Sequence, residues 1–103
     1  MEIKKTLEGS KLTLALDGQL DMLTSKELEN MLISSTGSVT ELAIDCKDLS
    51  FITSAGLRVL AIAQKIMRRQ GRLVILDPQP DVQEVFDMTG LSSFLEIVHS
   101  DGK

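Results

Sequence analysis

Two short, largely apolar runs, ELAIDC (residues 41–46) and RLVILD (72–77), bracket a helical stretch from about Ser54 to Gln70 that Gly71 closes. Runs of this length and composition read as strands buried on both faces of a sheet. A strand, a helix and a second buried strand make a βαβ unit, whose crossover is right-handed. A parallel pair is therefore expected at the centre, and every other segment must fit around it.

The flanking segments can do so. KLTLALD (11–17) places Leu12, Leu14 and Leu16 on one face and Thr13, Ala15 and Asp17 on the other, the period-two pattern of a half-buried strand. EIKKTLE before it is a weaker strand with Ile3 and Leu7 on one side. EGSK supplies a hairpin turn in which Gly9 is free to take φ > 0. LTSKEL then reads as a capping box, with Thr24 as N-cap, Glu27 three residues on, and Leu23 and Leu28 as the hydrophobic staple. Leu28, Met31 and Leu32 form the apolar stripe of that helix, and SSTGS (34–38) ends it. QPDVQEVFDMTG is a further helix: Pro80 suits its first turn, Val82, Val85 and Phe86 face inward, and Gly90 suits the C′ position. FLEIV (94–98) is a last strand at an edge. The order β β α β α β α β predicts one α/β domain over residues 1–103, a mixed, mostly parallel sheet of about five strands with helices mainly on one face.

Composition narrows the function. The chain suits one domain, and its 43% hydrophobic residues can fill a core of Leu, Ile, Val, Ala and Met, since aromatics amount to 3%. A net charge of −4 argues against nucleic acid and against an anionic membrane surface. With one cysteine and one histidine, Cys46 and His99, neither an intrachain disulfide nor a Cys/His zinc site can form within one chain. Cys46, set among Asp45, Lys47 and Asp48 in a strand pattern, reads as a small buried hydrophobe. MEIKKTLEGS has charge but no apolar core of a signal peptide, and no run reaches the ~20 apolar residues of a membrane span. A cytoplasmic protein is expected.

Enzymatic signatures are sparse. The chain has no P-loop, no GxGxxG and no GxSxG. Asp21, Asp45 and Asp48 fall at or just after predicted strand ends, the rim where α/β ligands sit, and three acids there could hold Mg²⁺. Asp also caps turns and loops, and the spacing from Asp45 to Asp48 matches no metal-hydrolase pattern.

SFITSAGLRVLAIAQ (50–64) raises a sharper question, because two hydroxyls and a glycine stand where strand becomes helix. Ser54 can serve as a helix N-cap worth about 1 kcal/mol, and Gly56 can permit close backbone approach. At about 100° per residue, Val59, Leu60, Ala63, Ile66 and Met67 gather on a core face, with Arg58, Lys65 and Arg69 opposite. Ser54 and Ala61 lie near that second side and Leu57 at its margin. A polar surface with small apolar inserts is one a partner can dock on.

GQLD (18–21), ELAIDCKDLSFITSAGLRVL (41–60) and LVILDPQPDVQEVFDMTGL (73–91), followed by the final strand, resemble the STAS-domain anti-sigma-factor antagonists of bacteria over essentially the whole chain. The resemblance implies a single STAS domain with Ser54 as phosphorylation site, the first serine of a pattern that continues into Gly-Leu. It implies a partner-switching cycle. The unmodified protein binds an anti-sigma factor with a histidine-kinase-like ATPase fold, and a sigma factor is released. The partner then phosphorylates the serine with its own ATP and Mg²⁺, and a PP2C-type phosphatase resets the system. No cofactor is implied for this chain itself. Asp21 is expected near the serine, and the partner-binding residues carried over are Asp21, Thr53, Ser54, Ala55, Gly56, Leu57, Arg58 and Ala61. Thr53 stands where many members carry Asp; its hydroxyl can replace an acceptor but not a charge, and can itself compete for modification. A second reading is a non-switching STAS scaffold or subunit of a stress-signalling or lipid-transport complex. A third, an enzyme using the rim acids, has only acids converging where a site should combine several roles.

Overall fold

The computed structural model describes residues 1–100. Strands β1 (Glu2–Glu8), β2 (Lys11–Leu20), β3 (Glu41–Ile52), β4 (Arg72–Leu76) and β5 (Ile97–Val98) lie side by side in chain order. β1 and β2 form an antiparallel hairpin whose turn residue Gly9 has φ +62°; β2 to β5 run parallel. Helices α1 (Met22–Ser35), α2 (Ser54–Arg68) and α3 (Pro80–Thr89) make the three crossovers. Each crossover steps one strand in the same direction, so right-handed connections deliver all three helices to one face. The architecture is the one the order of elements predicts.

Side-chain alternation decides the core. Leu12 and Leu14 of β2 stand in register with Leu42 and Ile44 of β3, and those with Leu73 and Ile75 of β4. These residues pack with Leu28 and Leu32 of α1, Val59, Leu60, Ala63 and Met67 of α2, and Val82 and Phe86 of α3. Each such side chain larger than alanine, fully buried, contributes about 1.5–3 kcal/mol. Ala43 and Val74 on the opposite face are buried but lie outside this cluster. Their face carries the cross-strand pairs Lys11–Glu41, at 4.0 Å, and Arg72–Glu96. The central strands are thus shielded on both sides, as their composition implies, but by a helical layer on only one. Cys46 is fully buried and desolvation pushes its thiol up to about 12, which keeps it protonated and inert.

Four local expectations change. α1 starts earlier than its sequence suggests: the N-cap is Asp21, with Thr24 at N3, and not Thr24 with Glu27. Leu23 is 77% exposed and makes no staple with buried Leu28. β3 does not stop at Cys46 but runs on to Ile52, paired with β2 through two register irregularities. β5 is cut to two residues because Leu91–Ser93 forms a 3₁₀ turn, closed by Phe94 and Leu95 N–H groups on the Leu91 carbonyl. Gly90 takes the expected left-handed conformation at φ +82°. Gly71 does more than end a helix, since a Cβ there would lie 1.8 Å from the Thr40 carbonyl oxygen.

Candidate functional site

Leu20 and Ile52 are register partners at the ends of β2 and β3. The chain therefore leaves the sheet for α1 and for α2 at neighbouring points. At the start of α1, Asp21 Oδ1 accepts the N–H groups of Leu23 and Thr24, both at 3.0 Å, and Thr24 Oγ1 accepts the Asp21 N–H at 2.8 Å. This reciprocal box satisfies donors that a helix start otherwise leaves open. The same bonds, that from Thr24 N–H foremost, hold the Asp21 carboxyl below the ordinary carboxylate value.

The start of α2 is built differently. Thr53 is its N-cap, but the Thr53 hydroxyl caps nothing. It donates backward to the Leu20 carbonyl at 3.1 Å, the same oxygen that accepts the Thr53 N–H at 3.0 Å. Ser54 is the first helical residue rather than the cap that its position in the sequence allows. Its side chain is exposed, and none of the hydrogen bonds among the described residues uses its hydroxyl. Gly56 turns inward: a Cβ would meet Ile52 Cγ1 and Leu20 Cγ at 2.8 Å, so only glycine lets the first turn of α2 sit on the two strand ends.

Of the residues expected at a partner surface, Ser54 and Arg58 are exposed; Asp21, Thr53, Ala55, Leu57 and Ala61 are half-buried, Leu57 packing against the core. Gly56 is buried and out of a partner's reach, which corrects its place among contact residues. The surface also holds apolar residues that sequence reasoning passed over. Met22 is 72% exposed beside Asp21, and Phe51, just before Thr53, is 52% exposed. Leu23, expected inward as a staple, joins this group by its exposure. The three acids do not converge on a cation. Asp21 caps α1, Asp45 accepts the Lys47 N–H at 3.0 Å, and no cluster of three His, Cys, Asp or Glu capable of holding a metal exists among the described residues. No helix of the described residues is long and apolar enough to cross a membrane.

Residues 2–101 match the STAS domain. The chain belongs to the STAS-domain family. Relatives within it are named as anti-sigma factor antagonists. BtrV of Bordetella bronchiseptica, named as an anti-sigma factor antagonist, is 32% identical over 87 residues, 82% of this STAS domain and 75% of that protein. The anti-sigma-B factor antagonist of Listeria monocytogenes is 31% identical over 88 residues, 84% of this chain and 77% of that one. The fold superposes on the anti-sigma factor antagonist SpoIIAA in its unphosphorylated form with a TM-score of 0.81, covering 94% of this chain and 88% of that one at 24% identity. A Bacillus SpoIIAA in the phosphorylated form gives 0.76, covering 94% and 91% at 21% identity. At these identities the two superpositions speak for the fold alone.

Proposed function

We propose that this STAS domain binds and inactivates an anti-sigma factor in its unmodified form, frees a sigma factor by doing so, and is switched off by phosphorylation of Ser54. One observation carries the reading: the Ser54 hydroxyl is exposed and unengaged at the first turn of α2, while the neighbouring Thr53 hydroxyl is tied to Leu20. Of two adjacent hydroxyls, only one is free to accept a phosphoryl group. In the transfer, Ser54 Oγ bonds to the γ-phosphorus of ATP, the bond to the leaving ADP breaks, and the hydroxyl proton passes to a base of the kinase. ATP, Mg²⁺ and base belong to the partner, a kinase of histidine-kinase-like ATPase fold; a PP2C-type phosphatase restores the serine.

Magnitudes separate the consequences. The phosphate adds about −1.5 to −2 charge. At a helix N-terminus the macrodipole favours it by roughly 0.3–1 kcal/mol, so the fold is left intact. Inside an interface an unpaired ion costs several kcal/mol, and about 4 kcal/mol is roughly a thousandfold in affinity. The switch therefore acts on docking and not on folding. The test is intact mass after incubation with an anti-sigma kinase, ATP and Mg²⁺. The wild type and Thr53→Val gain one phosphate and Ser54→Ala gains none. Modification at Thr53, or none in the wild type, overturns the proposal, the latter in favour of a passive scaffold.

A further inference from the structure

Beside Ser54, on the side away from β2, an apolar groove opens between the end of β3 and α3. Ser50, Phe51 and Ile52 form one wall and Asp81, Val82 and Val85 the other, around about 170 Å³. Phe51 at its edge is 52% exposed, an unusual state for one of only three phenylalanines in the chain. On the other side of Ser54 stand Met22 and Leu23, also exposed. β3 lies between β2 and β4 in the sheet, so α1, which follows β2, and α3, which follows β4, flank the start of α2.

A partner sensitive to Ser54 must cover it. A specific interface takes about 800 Å² from each side, a disc of roughly 16 Å radius. Phe51 is three residues from Ser54 and thus within about 10 Å of it along even a fully extended chain. Any interface of that size centred on Ser54 reaches the groove. Ile33, 66% exposed at the far end of α1, is an apolar residue of similar exposure set away from this rim. Asp81 is the charged residue among those lining the groove, and Asp21 stands beyond Ser54, while the exposed Arg58 lies one turn further along α2.

We propose that the groove between β3 and α3 is an anchor site for the anti-sigma factor, taking one aliphatic or aromatic side chain from a partner segment that carries Lys or Arg beside it. The inference rests on the Ser54 switch reading and adds where the binding energy is concentrated, since interface energy gathers in apolar anchors seated in pockets. Ser54, at the margin of the anchor, then acts as a gate: its phosphate lies where the anchored segment must pass.

The test uses the kinase that modifies Ser54 and measures its affinity for unmodified variants of the full chain. Phe51→Ser empties one wall and Val85→Glu puts a charge in the groove; each is expected to weaken binding at least tenfold. Ser50→Leu, at an exposed position, replaces the hydroxyl that donates to the Gly18 carbonyl with apolar bulk at the groove wall and is expected to do the same. Asp81→Lys is expected to weaken binding several-fold, and more at low salt than at high salt. Ile33→Ser should bind as wild type, and circular dichroism melts confirm that each variant is folded. If Phe51→Ser and Ser50→Leu bind as tightly as wild type while Ser54→Asp does not, the anchor is wrong and the switch stands. If Ser54→Asp itself binds as wild type, the switch reading fails, whatever the groove variants do.

Discussion

Two helix starts sit side by side on one rim of the sheet and are finished in opposite ways. α1 begins with Asp21 and Thr24 locked in a reciprocal box, with Asp21 Oδ1 and Thr24 Oγ1 both engaged. α2 begins with a threonine that turns its hydroxyl away from the helix and a serine whose hydroxyl bonds to nothing among the described residues. Both sequences offer the residue types that cap helices. The chain uses them for stability at one start and leaves the other open. A capped Ser54 would hold its oxygen against backbone N–H groups, out of a kinase's reach. The stability not taken at α2 is small, about 1 kcal/mol, and what it leaves is an accessible nucleophile. The seat of α2 is secured by other means, the Thr53–Leu20 tie and the close fit of Gly56.

The sharpest way to probe this difference is to place charge on the open start. Ser54→Asp is expected to lower affinity for the anti-sigma factor by about a hundredfold to a thousandfold. Its melting temperature should stay at or slightly above that of wild type, because a negative charge at the first turn is favoured by the helix dipole. Surface plasmon resonance and calorimetry on the same samples read the two effects. A matching loss of stability would mean that the start of α2 is structural and the comparison false.

Next in size is the seat itself. Gly56→Ala adds a Cβ 2.8 Å from Ile52 Cγ1 and Leu20 Cγ. Neither is the free tip of a flexible side chain, so the first turn must lift or the strand ends must give. Overpacking of this kind costs about 1–3 kcal/mol, partly offset by the better helix propensity of alanine, about 1 kcal/mol. A net destabilisation of about 1 kcal/mol in urea unfolding is expected. A stabilised Gly56→Ala would show that the turn does not rest on Leu20 and Ile52.

Thr53 tests the tie. Thr53→Val keeps the shape and removes the hydroxyl, while the Leu20 carbonyl still receives the residue's N–H. The loss is about 0.5–1.5 kcal/mol, the net worth of one hydrogen bond, and Ser54 remains modifiable. Thr53→Asp, the residue many family members carry, cannot donate to Leu20 but can accept N–H groups of the first turn. It would make the start of α2 resemble that of α1, and its stability should fall within about 1 kcal/mol of wild type. If Thr53→Val were unchanged in stability, the tie would contribute nothing.

What the sequence shows and hides follows the same division. The topology was legible because period two in KLTLALD and the apolar runs at 41–46 and 72–77 leave few ways to bury Leu12, Leu14, Ile44 and Ile75 together. The exposed position of Ser54 at the start of α2 was legible through its neighbours, Gly56 and Leu57. The α1 cap was misread because T-x-x-E at 24–27 and D-x-x-T at 21–24 both fit a box, and only the position where β2 ends decides between them. That end was hidden by Gly18 and Gln19, which interrupt the apolar series of β2 although its period of two holds to Leu20; the irregular pairing puts its extra residues into β3 and breaks the alternation there. The same irregularity carries β3 past Cys46 and turns Phe51 outward while Ile52 goes in. The groove was not legible at all, since it is made where α3 meets β3, residues 81–85 against 50–52, and no local pattern reports that meeting.

The smallest effect lies in the pH dependence of the capped start. Asp21 has its carboxyl held below the ordinary value of 3.8, by the Thr24 N–H first, then by the Thr24 side chain, with Leu23 N–H adding to both. A carboxyl whose folded-state pKa is depressed binds protons more readily in the unfolded chain. Its stabilisation is therefore complete above the unfolded value and is lost as pH falls through the folded one. Asp21→Asn keeps an acceptor for the two N–H groups and removes the charge, so it should melt slightly below wild type at pH 7. That gap should close as pH drops below about 4. Asp77 and Glu96 also have depressed values and shape the acid limb of both proteins alike, which is why the difference between the two melting curves, and not either curve alone, reports Asp21. Ser54→Ala supplies the contrast from the other start: with no titrating group there, its difference from wild type should be flat across the same range. A pH-dependent gap for Ser54→Ala, or a flat one for Asp21→Asn, would mean that the two starts are not divided between stability and exposure as their hydrogen bonds indicate.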